Sequence, residues 1–261
     1  MTVLSYLARG GDAVTLVSIV ALGALGCTSE RPASSPDAPS PSTNAPIRVL
    51  MLTATAGFRH DSIPAAREVM LSLAAGSRDL AITNTEDLSV IGAPGLAAYD
   101  VLMFALTSGE LALAADQQAA MVSFVSAGGG FVGVHSASDT LYDWPEYGRL
   151  VGAYFKEHPW TQQAALVVED PTHPATAGLP ERFSILDEFY TFRDNPRSRV
   201  QVLLRLDAAS VGSAGDYPLA WAQSYGNGRA YYNALGHFQE TWRDPRFQRQ
   251  LTGAIRWVAR R

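Results

Sequence analysis

From residue 47 onward, short apolar runs alternate with amphipathic stretches. Ile47-Arg48-Val49-Leu50-Met51-Leu52 is a nearly continuous apolar run, which predicts a strand covered on both faces. Pro64 suits the first turn of a helix that the pattern carries to residue 75. Further buried strands are predicted over 80–83, 99–105 and 131–135, and residues 114–127 read as a helix closed by Gly128-Gly129-Gly130, glycine being the residue that accepts a left-handed cap. Residues 164–168, 200–206, 218–225 and 229–235 read as strands, with a hairpin turn at Gly226-Asn227-Gly228. Asp244-Pro245 opens a last helix with Phe247, Leu251, Ile255 and Val258 along one face. Strands alternating with helices predict an α/β fold, a three-layer sandwich around a mainly parallel central sheet. Ligands bind such sheets at the carboxyl ends of the strands, which directs attention to the loops after Leu52, Ala105 and Val134. No repeat and no second linker interrupts residues 47–261, so one folded domain is expected there.

The first 46 residues follow another pattern. Residues 13–26 are uncharged and mostly apolar, shorter than the roughly 20 residues that span a bilayer but suited to the apolar core of a signal peptide. They run into Ala24-Leu25-Gly26-Cys27, which resembles the lipobox of bacterial lipoproteins. Cys27 is the single cysteine, so no disulfide can form within the chain. The stretch that follows is rich in Ser, Pro, Ala and Thr, a composition that cannot offset its ordering entropy. The expected organisation is a signal peptide over 1–26, a lipid-anchored linker over 27–46 with Cys27 lipidated, and the folded domain over 47–261. That organisation places the protein in the cell envelope, held to the membrane by its lipid and facing the periplasm or the exterior.

Charge excludes one class of partner. Twenty Lys and Arg against 25 Asp and Glu give a net charge of -5, so nucleic-acid binding has no electrostatic support. The late arginines, from Arg243 to Arg261, are read as the polar side of the last helix.

The segment from Gly128 to Asp139 has the layout of a nucleophile elbow: strand, tight turn, helix, with small residues flanking the tip. Gly133-Val134-His135-Ser136-Ala137 puts His135 at that tip. Ser136 sits one residue past it, a poor nucleophile but a candidate for ligand binding, together with the backbone N–H groups beside it. His60, His135 and His237 all fall where strands are expected to end, so they can share a pocket, and His158 can join them. Histidine is both a near-neutral acid–base and the commonest metal ligand. No short spacing such as HxxxH singles out a metal, so metal binding, proton transfer and structural hydrogen bonding all stay open. Asp139, Tyr142, Asp143 and Trp144 combine carboxylates with aromatic rings, a mixture suited to sugars, with core packing the equal alternative for Trp144. His173, in a turn sequence, is expected to cap backbone.

Four motifs carry a resemblance to a known family. They are Gly57-Phe58-Arg59-His60-Asp61-Ser62-Ile63; the run from Gly128 through Asp143-Trp144-Pro145 to Phe155-Lys156-Glu157-His158-Pro159; Asp187-Glu188-Phe189-Tyr190-Thr191-Phe192-Arg193; and Ala234-Leu235-Gly236-His237 with Asp244-Pro245-Arg246-Phe247. Their order and content resemble the ThuA-like, trehalose-utilisation family of the class I glutamine amidotransferase-like superfamily. The resemblance implies a flavodoxin-like, amidotransferase-like sheet without amidotransferase chemistry, because no thiol occupies the elbow. His237 and Glu240 stand where those enzymes place a late His and Glu, although the spacing is one residue longer. It further implies action on a sugar or keto-sugar in disaccharide or trehalose-type catabolism. Isomerase- or lyase-type proton transfer would use His135, His237 and Glu188 as catalytic residues. His60, Ser136, Asp139, Tyr142, Trp144, His158 and Glu240 would surround the carbohydrate. His60, His135, His237 and Glu188 together would suit zinc or a similar divalent ion. The alternative from another class is a non-catalytic carbohydrate-binding lipoprotein. Self-association is left open.

Overall fold

The computed structural model describes residues 45–261; the expected signal peptide, Cys27 and the linker as far as residue 44 lie outside the described residues. β1 (Ile47–Leu52) is buried at every position except Arg48. It is followed by α1 (Ile63–Ala75), with proline in its first turn, and β2 (Leu80–Thr85). A single helical turn, α2 (Ala93–Leu96), precedes β3 (Val101–Ala105). α3 (Ala115–Ser126) leads into β4 (Gly130–Val134), and both β3 and β4 are buried throughout. After α4 (Pro145–Val151) come the long strands β5 (Phe155–Val168) and β6 (Arg182–Phe192), then β7 (Gln201–Leu206). β8 (Pro218–Tyr225) and β9 (Gly228–Asn233) form the expected hairpin, and α5 (Gln239–Arg243) and α6 (Pro245–Val258) close the chain.

The nine strands of the described residues form one sheet in the order β2-β1-β3-β4-β9-β8-β7-β5-β6. β2, β1, β3, β4 and β9 pair in parallel. β9, β8, β7, β5 and β6 pair antiparallel. The expected mainly parallel sheet is thus corrected to a mixed one: four pairings are parallel and four antiparallel. The antiparallel half holds the longest strands, of 14 and 11 residues. The physical reason lies in the connections. A two-residue turn can join only antiparallel neighbours, whereas apolar runs encode which face is covered and not which way a strand points.

Helices cover both faces. On one, α6 lies so close to β4 that a Cβ on Gly130 would meet the Val258 side chain at 2.7 Å. On the other, Tyr147 of α4 packs on Phe104 and Phe131 with ring centroids 5.7 and 6.1 Å apart. Gly130 and Phe131 are successive residues of one strand and therefore face opposite ways. β4 sits near the middle of the sheet, and the loops after β1, β3, β4 and β9 gather at one edge, since parallel strands all end there.

Candidate functional site

The elbow is built at the end of β4. The strand stops at Val134, and His135 takes the left-handed conformation, φ +53°, before a five-residue 3-10 turn (His135–Asp139). The helix expected after the tip is therefore this one tight turn. Left-handed backbone costs a residue with a Cβ about 1–2 kcal/mol, so the turn must be held from outside. Tyr232 on β9 donates its hydroxyl to the His135 carbonyl at 2.7 Å. Gly133 lets this happen: a Cβ there would lie 3.1 Å from Tyr232 and 3.3 Å from Ala137.

Around the tip stand His60, from the loop after β1, Glu188, from β6, and His237, from the loop after β9. One ligand atom from each of His60, His135, Glu188 and His237 lies within 4.8 Å of the others. The His135 Nδ1 is 2.7 Å from the carbonyl oxygen of Ala234. A carbonyl can only accept, so Nδ1 carries the proton and Nε2 presents a lone pair to the cluster. That lone pair faces His60 Nε2 at 3.1 Å, the Tyr190 hydroxyl at 3.0 Å and Glu188 Oε2 at 3.6 Å. Glu188 also meets His158 Nδ1 at 3.2 Å through Oε1 and His237 Nδ1 at 3.3 Å through Oε2. The His237 contact is close but is misaligned for a hydrogen bond.

Burial sets the charge states. It pushes the His60 imidazole down to about 4, with repulsion from His237 adding to the effect. It drives His135, wholly enclosed, well below its ordinary range as well. His237 is raised instead, chiefly by the Glu188 carboxylate beside it. Two imidazoles are thereby kept in the neutral form that binds metal ions, next to a carboxylate and a third imidazole that retains its proton more readily.

Two residues that the sequence did not single out complete the site. Asp187 is fully buried and accepts three backbone N–H groups, from Glu188 at 2.8 Å, Gly236 at 2.9 Å and His237 at 3.0 Å. Burial lifts its carboxyl to about 6 against those three hydrogen bonds. It ties the His237 loop to β6. Tyr190, also buried, supplies the hydroxyl next to His135. Both lie in the same short motif as Glu188. Alternation along a strand was the available signal: consecutive Asp187 and Glu188 cannot both enter one cavity.

Two cavities adjoin at the cluster, sharing Phe58, His60 and His237 as walls. The first, about 220 Å³, also takes in Asp139, Phe155, His158, Glu188 and Tyr190. The second, about 280 Å³, includes Asp61, Ser62, Phe238, Gln239 and Glu240. Asp139 thus faces the first cavity, and burial raises its carboxyl pKa. Tyr142 supports it from behind, its hydroxyl 2.6 Å from Asp139 Oδ1. Ser136 is buried with Oγ 3.4 Å from His60 Nδ1, so it braces His60 and does not face open space. Trp144 is placed away from both cavities, stacked on Tyr147 at 6.0 Å and packed against the core. Glu240 is carried on α5 to the rim of the second cavity, and the carboxylate beside His237 is Glu188. His173 stands apart, capping Ala175 N–H through Nδ1 at 3.1 Å, as its turn sequence suggested.

Comparison with known proteins agrees with this architecture. A family model described as ThuA, trehalose utilisation, matches residues 48–258. A ThuA-like protein from Bacteroides uniformis ATCC 8492 is similar at 26% identity with a TM-score of 0.71, over 85% of this chain and 95% of that one. Another, from Parabacteroides merdae ATCC 43184, is similar in fold at 20% identity with a TM-score of 0.68, over 82% and 90% of the two chains. The fold also recurs in a beta-galactosidase from Bacillus circulans sp. alkalophilus, with 14% identity and a TM-score of 0.54, over 81% of this chain but 31% of the enzyme. No curated protein matches the chain.

Proposed function

The chain belongs to the ThuA family, described as trehalose utilisation, and on that premise we propose that it is a metal-assisted enzyme acting on a sugar or keto-sugar by proton transfer, of the isomerase or lyase type. The observation that carries this reading is the convergence of His60, His135, Glu188 and His237 within 4.8 Å. The donor set fits a divalent ion such as zinc: three nitrogens and a carboxylate oxygen. His135 also has the support typical of a ligating imidazole, its far N–H held by a backbone carbonyl at 2.7 Å. When bound, the ion would polarise a carbonyl or hydroxyl oxygen and so acidify the adjacent C–H.

The remaining chemistry belongs to side chains that can reach a substrate. His135 has no accessible surface, so it positions and ligates and does not meet the sugar directly. Asp139, held by Tyr142, presents a carboxyl to the cavity whose pKa burial raises, the direction wanted in a proton acceptor. His158, half exposed, touching Glu188 and outside the ligand set, lines the same cavity and is the imidazole left to carry a proton. With no thiol at the elbow, glutamine hydrolysis is not expected. The proposal extends to the cell envelope, where Cys27 would carry the lipid anchor.

Metal analysis tests the reading. The purified protein should retain about one divalent ion per chain, and His135→Ala or His60→Ala should lose it, while Asp139→Asn keeps the ion and loses turnover of keto-sugars. A protein that retains no ion, and whose Tm does not rise with zinc, manganese or nickel, would make the histidines a hydrogen-bonding frame. The carbohydrate-binding reading would then take its place.

A further inference from the structure

Phe58 is 64% exposed, the most exposed large apolar side chain among the described residues. Its loop is nevertheless rigidly clamped. Ala56 and Gly57 donate their N–H groups to the Ser108 carbonyl at 2.8 and 3.2 Å. Ser108 Oγ donates back to the Phe58 carbonyl at 2.6 Å. Gly109, at φ +71°, comes so near that a Cβ there would lie 2.5 Å from Gly57 N. The ring itself stands edge-on to His60, with centroids 4.8 Å apart at 81°. Apart from that edge contact, a large apolar ring kept in water on a braced loop loses the benefit of burial.

Its position suggests what would cover it. Phe58 forms part of the wall between the two cavities. Elsewhere the first cavity is bounded by Phe155 and His158, nearly parallel at 19° with centroids 5.9 Å apart, and by the carboxyl groups of Asp139 and Glu188. Aromatic faces beside carboxylates match the surface of a pyranose ring, whose C–H faces are apolar and whose rim is hydroxyl. The residues that follow it in the chain are polar: Arg59 pairs with Glu86 at 2.8 Å, and Asp61 follows His60. One exposed ring at a cavity mouth is far smaller than a protein interface and is of the size of one sugar ring.

We propose that Phe58 is the stacking platform for a pyranose ring, fixing which face of the sugar is turned toward the histidine cluster. The inference rests on the reading of this site as a sugar site, and it makes Phe58 a positioning residue that sets affinity and orientation. Binding of trehalose and methyl α-glucopyranoside to the full chain, followed by calorimetry, tests it. Phe58→Ala should weaken pyranoside binding on the order of tenfold, Phe58→Leu should not restore it, and Phe58→Trp should. In Phe58→Trp the added indole should show a fluorescence change on sugar binding that the wild-type protein lacks. Tm and retained metal should stay the same in all three, because the side chain is exposed and is not a ligand. Equal affinity in wild type and Phe58→Ala would overturn the proposal, as would a wild-type protein that binds neither sugar. Metal retention in that same wild-type sample reports separately on the proposed function, so the two ideas fail independently.

Discussion

Burial chooses the protonation state of individual imidazoles here, and that choice has a measurable cost in acid. The folded His60 titrates at about 4 and the free side chain near 6.5. A group with a depressed folded pKa gives its stability in full above the unfolded value and loses it as pH falls toward the folded one. His60 should therefore weaken the fold progressively from pH 6.5 down to about 4, by up to about 3 kcal/mol at 1.36 kcal/mol per unit. Asp187 acts in the opposite sense: its raised carboxyl loses stability as pH rises from 3.8 through about 6. Since Asp187 is common to both proteins, the comparison of wild type with His60→Gln isolates the imidazole. In chelator-treated protein, Tm plotted against pH should be flatter for His60→Gln across that window. Parallel curves would mean that His60 titrates normally. The convergence of His60, His135 and His237 was legible in sequence because each follows a strand that ends on the same sheet edge. The depth of His135 was not, because the Tyr190 and His60 side chains that cover it come from distant segments.

At the scale of elements, hydropathy marked most plainly the strands whose two faces are both covered: β1, β3 and β4 are almost entirely buried. β5 escaped over its first nine residues, where every side chain is exposed or only partly covered. β6 escaped for the opposite reason, because its buried stretch contains Asp187 and Glu188, and two adjacent carboxylates do not read as the interior of a strand. Those carboxylates are why β6 belongs to the site. Asp187 joins β6 to the loop after β9 by accepting from Gly236 and His237, so it holds His237 in reach of Glu188. An asparagine has the same shape but offers one acceptor oxygen and an NH2 group with two donors, and it cannot satisfy three N–H groups that reach two oxygens. Asp187→Asn should then cost roughly 1–3 kcal/mol for the backbone group left unpaired. It should also weaken metal binding while leaving all four candidate ligands in place. Calorimetric unfolding and metal titration of the variant check both halves; an unchanged metal affinity would show that the loop is held by other contacts, such as Ser62 Oγ and Trp242 Nε1 on the Gly236 carbonyl.

For the whole molecule, the order and family of the folded part were readable from four motifs, but the reversal of β8 and β5 that makes half of the pairings antiparallel was legible only at the β8–β9 hairpin, since direction is fixed by turns and long-range pairing. The expected anchor raises a separate question about where this domain works. Among the described residues no helix is long and apolar enough to cross a membrane, and the expected attachment point, Cys27, precedes them. Each buried methylene contributes about 0.8 kcal/mol, so one acyl chain binds a bilayer only marginally, and firm anchoring needs two or more. A bacterial lipoprotein cysteine supplies several, which is why one residue can hold a domain that begins at Ile47. In a bacterial host fed labelled palmitate, the wild-type chain should take up label and its mature form should begin at Cys27 by mass spectrometry. Cys27→Ser should take up none, while the Tm of the folded domain stays the same, because residue 27 lies outside every described element. A mature wild-type chain that starts elsewhere, or a Cys27→Ser chain that still carries label, would remove the anchor and with it the argument for the cell envelope.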